Sequence, residues 1–219
     1  MSEYIKQNKH KVFCSFDNSE SWVILSAIEQ RIKKKVESVG IPLKDWDISI
    51  NYGIKTGYND AFIISGKKKD ELIAQDPKSA EIIRPILRGR DIKRYGYEFA
   101  DLWLINVHNG VKNKNIVPIN IDDYPSIKEH LNQYYSNLAK RDDKGVTPYN
   151  LRNCAYLEEF SKQKIVYREI SDAMNACLVG KDIMINNKCY MVTGTHLIYL
   201  LSIFNSRLFT KIMFQQANI

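Results

Sequence analysis

Residues 164–194 read KIVYREISDAMNACLVGKDIMINNKCYMVTG, and this stretch decides the fold class. The segments 164–170, 176–180 and 189–194 are short, apolar and separated by polar connections, which predicts three strands. Residues 195–214 follow as the most apolar segment of the chain and predict a helix. Strands and helices that come in runs, without regular alternation, predict an α+β fold.

The segments upstream predict further strands. Residues 46–52 (WDISINY) alternate apolar and polar side chains and predict a strand, with residues 60–65 (DAFIIS) as its partner. Residues 102–107 (LWLINV) predict a buried strand. The order along the chain therefore predicts a β-rich N-terminal part followed by a smaller α+β part.

Two further helices are predicted, one between the strands at 60–65 and 102–107 and one after residue 107. Asp76 and Pro77 open a short helix with proline at its first position, and Pro85 closes it. Asp123 caps a longer helix over residues 124–140, in which Ile127, Leu131, Tyr134 and Leu138 line one face.

The N-terminal forty residues divide into two segments. Residues 1–18 are polar and predict a loose arm, whereas residues 19–40 carry apolar residues at helical spacing. Asn18 or Ser19 is the expected N-cap of this amphipathic helix or linker, and Gly40 is the expected stop. The helix either docks on the body of the protein or acts as a coiled-coil-like spacer. Its short length favours docking. Residues 41–219 form the predicted main domain.

The charge balance indicates an anionic partner. Among 219 residues, 32 Lys and Arg outnumber 25 Asp and Glu, which gives a net charge of +7. Such an excess favours nucleic acid first and a membrane surface second, while a basic surface without a partner is the alternative. The four cysteines form no CxxC pair and no apolar run is long enough to span a membrane. We therefore expect a soluble protein in a reducing, cytoplasmic compartment.

No motif for catalysis or metal binding is recognisable. The chain lacks the glycine-rich turn of S-adenosylmethionine methyltransferases, and TPYN at 147–150 lacks the paired prolines of their catalytic loop. The order of Asp76 and Pro77 does not match the metal-binding motif of restriction-type nucleases. The four histidines show no ligand spacing, and a surface turn is the favoured interpretation of His108. The sequence thus predicts binding without catalysis, with no catalytic residues, metal or cofactor in this chain.

Three polar segments supply the side-chain types that DNA recognition uses. Arg and Lys read guanine, Asn and Gln read adenine, and cations or hydroxyls hold phosphates. The candidates are Lys55, Thr56, Tyr58 and Asn59; Arg88, Arg90, Lys93 and Arg94; and Arg141, Lys144, Thr147, Tyr149, Asn150, Arg152 and Asn153.

Acidic neighbours leave alternatives open for two of these segments. Arg90 and Asp91 could form a structural ion pair. Asp142 and Asp143 could accept from cytosine or brace neighbouring arginines, and bracing is the favoured interpretation. We expect Lys55, Arg90, Arg141 and Arg152 to share one positively charged face.

Several segments, taken in order, resemble a known family. GIKTGYNDAFII, DPKSAEIIRPILRGRDIKRY, YPSIKEHL, RDDKGVTPYNLRNCAYLEEFSKQKIVY and YLLSIFNS resemble the TaqI-like C-terminal specificity domain of adenine-N6 DNA methyltransferases and type IIG restriction-modification enzymes. The resemblance runs from about residue 20 to the C-terminus. It implies a target recognition domain with the fold of DNA-methylase specificity domains.

The resemblance also implies a division of labour. A separate methyltransferase domain, absent from this chain, would bind S-adenosylmethionine, flip adenine out of duplex DNA and methylate N6. Residues 53–59 would face the DNA or that domain, residues 86–95 would scaffold the reading face, and residues 141–153 would lie close to it. The chain is then either a fragment of a bacterial restriction-modification enzyme or a type I-like specificity subunit that assembles with separate methylase subunits.

Overall fold

The computed structural model describes residues 3, 26–171 and 173–217. The strands in these ranges are β1 (Ile48–Tyr52), β2 (Ile63–Ser65), β3 (Ile83–Leu87), β4 (Ile92–Lys93), β5 (Gly96–Tyr97), β6 (Leu102–Ile105), β7 (Lys164–Arg168), β8 (Ala176–Val179), β9 (Met184–Ile185) and β10 (Cys189–Gly194). The α-helices are α1 (Ala27–Val39), α2 (Asn59–Phe62), α3 (Gly66–Gln75), α4 (Pro125–Asn132), α5 (Tyr135–Lys140), α6 (Leu197–Phe204) and α7 (Arg207–Ala217).

Two four-stranded sheets organise the molecule. One has the order β1-β10-β7-β8 and is antiparallel throughout, and the other has the order β2-β6-β3-β9 with a parallel pair of β3 and β9. Each sheet takes three strands from one half of the chain and one from the other. The α+β class is therefore confirmed, and the exchange of β1 and β9 joins the two halves.

The strands of the first sheet bury side chains on both faces. Val166 and Met191 join the main hydrophobic core, which also contains the second sheet and helices α2–α5. Their chain neighbours Ile165 and Val192 face the other way and pack with Leu200 and other apolar residues of α6. This alternation, two residues per repeat, lets one sheet separate two cores.

Helix α1 begins later than the sequence predicts. Ser26 is its N-cap and forms a capping box with Glu29, and Gly40 ends the helix as expected. The predicted caps Asn18 and Ser19, like the predicted arm at 1–18, lie outside the described residues. The helix buries no residue completely, and Glu29 forms an ion pair with Lys211 of α7 (3.5 Å); docking of its apolar face on the body stays a prediction.

Three predictions, about the extent of a strand, the partner of β1 and the end of a helix, are wrong. In residues 60–65, Ala61 and Phe62 are buried in helix α2, and only residues 63–65 form a strand, which pairs with β6. The partner of β1 is β10, with Ile48 opposite Gly194. The helix that Asp76 caps ends at Glu81, and Pro85 lies within β3.

Two of the three long predicted helices, at 124–140 and 195–214, are broken. Asp123 belongs to a preceding 3-10 helix, and Pro125 opens α4 without a side-chain cap. The predicted 124–140 helix breaks before Tyr135, yet Ile127 and Leu138 are buried as expected. The C-terminal helix breaks at Asn205, whose amide hydrogen-bonds to both backbone groups of Ala176. Within the described ranges, no helix has the length and apolar character needed to cross a membrane.

Candidate nucleic-acid interface

The loop at 53–59 is a compact turn. Thr56 donates a hydrogen bond from Oγ1 to Asn59 Oδ1 (2.6 Å), and Tyr58 accepts one at its hydroxyl from Asn137 (2.9 Å). Gly57 has φ +71, and a Cβ there would lie 2.9 Å from the Cβ of Asp143. A glycine is therefore required where this loop meets the loop at 141–153.

A buried arginine holds the two loops together. Arg141 is 7% exposed, and its guanidinium donates to the carbonyl oxygens of Thr56, Asp143 (3.0 Å), Pro148 (3.0 Å) and Asn150 (2.6 Å). Burial lowers the pKa of Arg141 to about 10, which leaves it charged at neutral pH. Both terminal nitrogens of Arg141 are therefore committed to carbonyls inside the protein, and its contact with DNA stays a prediction.

Two other candidates are also buried. Asn150 is 1% exposed and donates to the carbonyls of His108 (3.3 Å) and Ile119 (2.9 Å), while Thr147 donates to its Oδ1 (2.6 Å). Thr56 is 3% exposed. Asn150 and Thr56 therefore stabilise the loops from within, and their contact with DNA likewise stays a prediction.

Above Arg141, one carboxylate brings together the exposed cations of both loops. Asp143 accepts from Lys55 (2.8 Å) and from Arg152 (3.1 Å). The hydrogen bond from Lys55 is the largest of the effects that lower the pKa of the Asp143 carboxyl, so the carboxyl is ionised at neutral pH. The interpretation that Asp143 braces neighbouring cations is confirmed.

The remaining candidates of the second loop lie near the surface. Lys144 is exposed and donates to the carbonyl of Ala139 (2.7 Å), and Asn153 is exposed and accepts from Asn109. Tyr149 is half-buried and donates from its hydroxyl to Asn132 (2.6 Å).

The arginine-rich segment forms a separate group. Arg88 makes a bidentate ion pair with Asp91 (2.9 and 3.1 Å), and this hydrogen bonding raises the pKa of Arg88. The structural ion pair predicted for Arg90 thus belongs to Arg88. Arg90 is exposed and makes no hydrogen bond or ion pair with the described residues.

The last two cations of this segment have different contacts. Lys93 pairs with Glu98 (3.2 Å). Arg94 donates to the carbonyl of Asn205 (2.9 Å) and lies over the ring of Tyr95. Arg94 therefore points toward the connection between α6 and α7.

A turn that the sequence reasoning missed lies between the two cationic groups. Asn186 forms a parallel bridge with Ile54, directly before Lys55, and its backbone N–H donates to the carbonyl of Leu87 (3.0 Å), directly before Arg88. Lys55 and Arg88 therefore leave the sheets on either side of one connection. The signal was present in the asparagine pair followed by lysine between two predicted strands.

A cleft of about 320 Å³ lies next to the buried Asn150, because His108 and Ile119, whose carbonyls accept from Asn150, line it. His108, Glu81, Arg84 and Asp182 are among its lining residues, and burial lowers the pKa of His108. His108 Nδ1 accepts from the backbone N–H of Gly110 (3.2 Å). Within the described part of the chain, no three His, Cys, Asp or Glu residues are grouped as metal ligands.

Comparisons with known proteins identify relatives of this fold. A solved structure described as the type IIL restriction-modification enzyme MmeI in complex with DNA matches with a TM-score of 0.55 and 14% sequence identity. The match covers 76% of this chain and 22% of that one, so the chain spans about a fifth of the enzyme's length. At this identity the likeness shows the fold alone. The search of curated proteins returned no match.

A family model provides the assignment. The model for the TaqI-like C-terminal specificity domain matches residues 84–218, which is more than half of the chain. The matched range includes the arginine-rich segment and the loop at 141–153, whereas the loop at 53–59 lies before it. The resemblance noted in the sequence is confirmed, and the chain belongs to the TaqI-like C-terminal specificity domain family of restriction-modification enzymes.

Proposed function

We propose that this chain is the DNA target-recognition part of a bacterial restriction-modification enzyme. The observation that carries the proposal is the meeting of Lys55 and Arg152 on Asp143 above the buried Arg141. Cations from two distant loops are thereby presented together on a rigid base, in a chain with a net charge of +7. Duplex DNA is the polyanion that a specificity domain of this family serves to recognise.

The ion pairs at this surface can be exchanged for phosphates. Lys55 and Arg152 are each partly exposed, and such pairs contribute only about 0–1 kcal/mol. A phosphate can therefore replace Asp143 as their partner at little cost. Exposed amides such as Asn59 and Asn153 supply groups that can read base edges.

The chemistry belongs to another domain. A separate methyltransferase domain or subunit binds S-adenosylmethionine and methylates adenine N6 on a flipped base, while this chain holds the flanking duplex. The 41–83 segment contributes β1 and β2 to the two sheets, which supports a recognition domain that begins near residue 41. The enzyme would act in the bacterial cytoplasm, where its DNA is.

The salt dependence of DNA binding tests this proposal. Fluorescence anisotropy of a labelled duplex should give a low association constant. The logarithm of this constant should fall linearly with the logarithm of the salt concentration. The double variant Lys55→Gln, Arg152→Gln should lower the slope by roughly 1–2, at about 0.9 per lost phosphate contact. The control is Lys181→Gln. Lys181 is exposed and follows β8, next to the N-terminal end of β7, and its replacement should leave the slope unchanged. Binding that does not respond to salt would rule the proposal out.

A second candidate function is a type I-like specificity subunit that assembles with separate methylase subunits. The exposed apolar face of α1 favours it, since Ile28 and Val39 are 61% and 67% exposed. Sequencing the gene upstream of the Met1 codon separates the two. A fused methyltransferase domain supports the first candidate, and a separate methylase gene supports the second.

A further inference from the structure

Residues 186–189 form a tight turn where the chain passes from one sheet to the other. The N–H of Cys189 donates to the carbonyl of Asn186 (3.0 Å), and the N–H of Lys188 donates to Asn186 Oδ1 (3.2 Å). This pattern is a β-turn whose first residue closes an additional side-chain turn. Asn187 and Lys188 are the two residues at its tip.

The turn is anchored on three sides by backbone hydrogen bonds. These bonds are Gly53 N–H to Cys189 O (2.9 Å), Ile54 N–H to Ile185 O (2.7 Å), Asn186 N–H to Leu87 O (3.0 Å) and Glu169 N–H to Lys188 O (3.0 Å). Ile185 and Cys189, which flank the turn, are fully buried. The tip residues therefore project from a rigid base, which is the arrangement that precise recognition needs.

Of the two side chains at the tip, one has no hydrogen-bond partner among the described residues and the other has a surface partner that it can exchange. Asn187 is half-buried and makes no hydrogen bond to the described residues. Lys188 is exposed and pairs with Glu169 (3.0 Å) in a surface ion pair. An unpaired amide beside an exchangeable ammonium matches one base edge beside one phosphate.

One cation from each of two candidate segments follows a residue that hydrogen-bonds to or bridges the turn. Lys55 follows the bridge partner of Asn186, and Arg88 follows Leu87. Because β3 and β9 are parallel, Arg88 and Asn186 continue in the same direction past the end of their strands. The tip thus lies between the loop at 53–59 and the arginine-rich segment.

We propose that the turn at 186–189 is a further DNA-reading element, with Asn187 contacting adenine in the major groove and Lys188 contacting an adjoining phosphate. An asparagine amide can pair with both N6 and N7 of adenine. The inference rests on the proposed function and assigns one base position of the target to one residue.

Binding selection from a randomised duplex pool, followed by sequencing, tests this inference. The wild-type chain should select A·T at one position, and Asn187→Ala should lower that preference about 5- to 150-fold, equivalent to about 1–3 kcal/mol, while other positions keep theirs. Asn187→Asp retains a turn-forming side chain, and its carboxylate can accept a hydrogen bond from the N4 amino group of cytosine. The base preference at the same position should therefore change from A·T toward C·G.

The lysine has a separate readout. Lys188→Gln should weaken binding to all sequences alike and lower the salt slope by about 0.9, whereas Lys181→Gln should do neither. Equal thermal midpoints for the variants exclude a folding effect.

Unchanged base preferences in both Asn187 variants would overturn the inference alone, since the wild-type chain would still bind. Failure of the wild-type chain to retain duplex at any salt would overturn the proposed function and the inference together.

Discussion

At the scale of single residues, Arg141 shows what sequence can and cannot reveal. It stands in a run of charged residues, KRDDK, where an exposed and a buried arginine look the same. Its burial depends on carbonyls of Thr56, Pro148 and Asn150, which only the folded chain brings together. The loops were predictable from their composition, but the role of this side chain was not.

Replacing Arg141 should destabilise the protein despite conserving its charge. In Arg141→Lys, one ammonium cannot reach all four carbonyls that the planar guanidinium contacts, so we expect a loss of about 2–4 kcal/mol in the free energy of unfolding. Urea denaturation measures it. Arg90→Lys, at an exposed position, should change stability by less than about 0.5 kcal/mol. Equal effects of the two substitutions would contradict the structural role.

Lys164 is a second buried cation, and it predicts a pH effect. It is fully buried, its ammonium donates to the carbonyls of Phe160, Lys162 and Gly180, and burial lowers its pKa to about 8. Because the unfolded chain keeps this proton up to a pKa near 10.5, the group's contribution to stability rises as pH increases from about 8 to about 10.5.

Comparison with a variant isolates that contribution. Between pH 7 and 9.5, wild-type stability should rise by about 2 kcal/mol relative to Lys164→Met, at roughly 1.4 kcal/mol per pKa unit. Titrating cysteines and tyrosines are common to both proteins and cancel in the difference. Urea unfolding at several pH values gives the two curves. Parallel curves would show that the proton is not held more weakly in the folded state.

At the scale of elements, most segments were predictable and their partners were not. The strands at 46–52 and 102–107, and the three in the opening stretch, follow from alternation and β-branched content. The pairing of β1 with β10 joins distant segments, so local pattern carried no information on it. The broken helix at Asn205 was likewise hidden, since its cause is a contact with Ala176 across the fold.

The crossing between the two sheets requires a glycine. A Cβ on Gly53 would lie 2.1 Å from the carbonyl oxygen of Asn186 and 2.4 Å from that of Ile185. Gly53→Ala should therefore force the backbone apart and cost about 1–3 kcal/mol of stability. A Cβ on Gly180 would meet nothing within 4 Å, which makes Gly180→Ala the matched control. Thermal unfolding should separate the two variants, and similar midpoints would refute the close approach.

At the scale of the whole molecule, two sheets that exchange strands meet at a seam formed by Ile54, Leu87 and Asn186, and the polar segments lie around it. The turn at 186–189 joins both sheets, and Lys55 and Arg88 flank it. Most cations there are already paired with carboxylates, as Lys55 is with Asp143 and Lys188 with Glu169. Net positive charge alone predicted an anionic partner, whereas only the fold shows which cations lie side by side, such as Lys55 and Arg152 on Asp143.

Site-directed cross-linking to duplex DNA tests the location of this face most directly. A photoreactive benzoylphenylalanine would replace Arg90, Arg152 or Lys181 in turn, since all three positions are partly or fully exposed. We expect cross-links from positions 90 and 152, on the two sides of the seam. We expect none from position 181, which follows β8 next to the N-terminal end of β7. Cross-linking from position 181 with none from 90 and 152 would contradict a DNA-binding face at the seam.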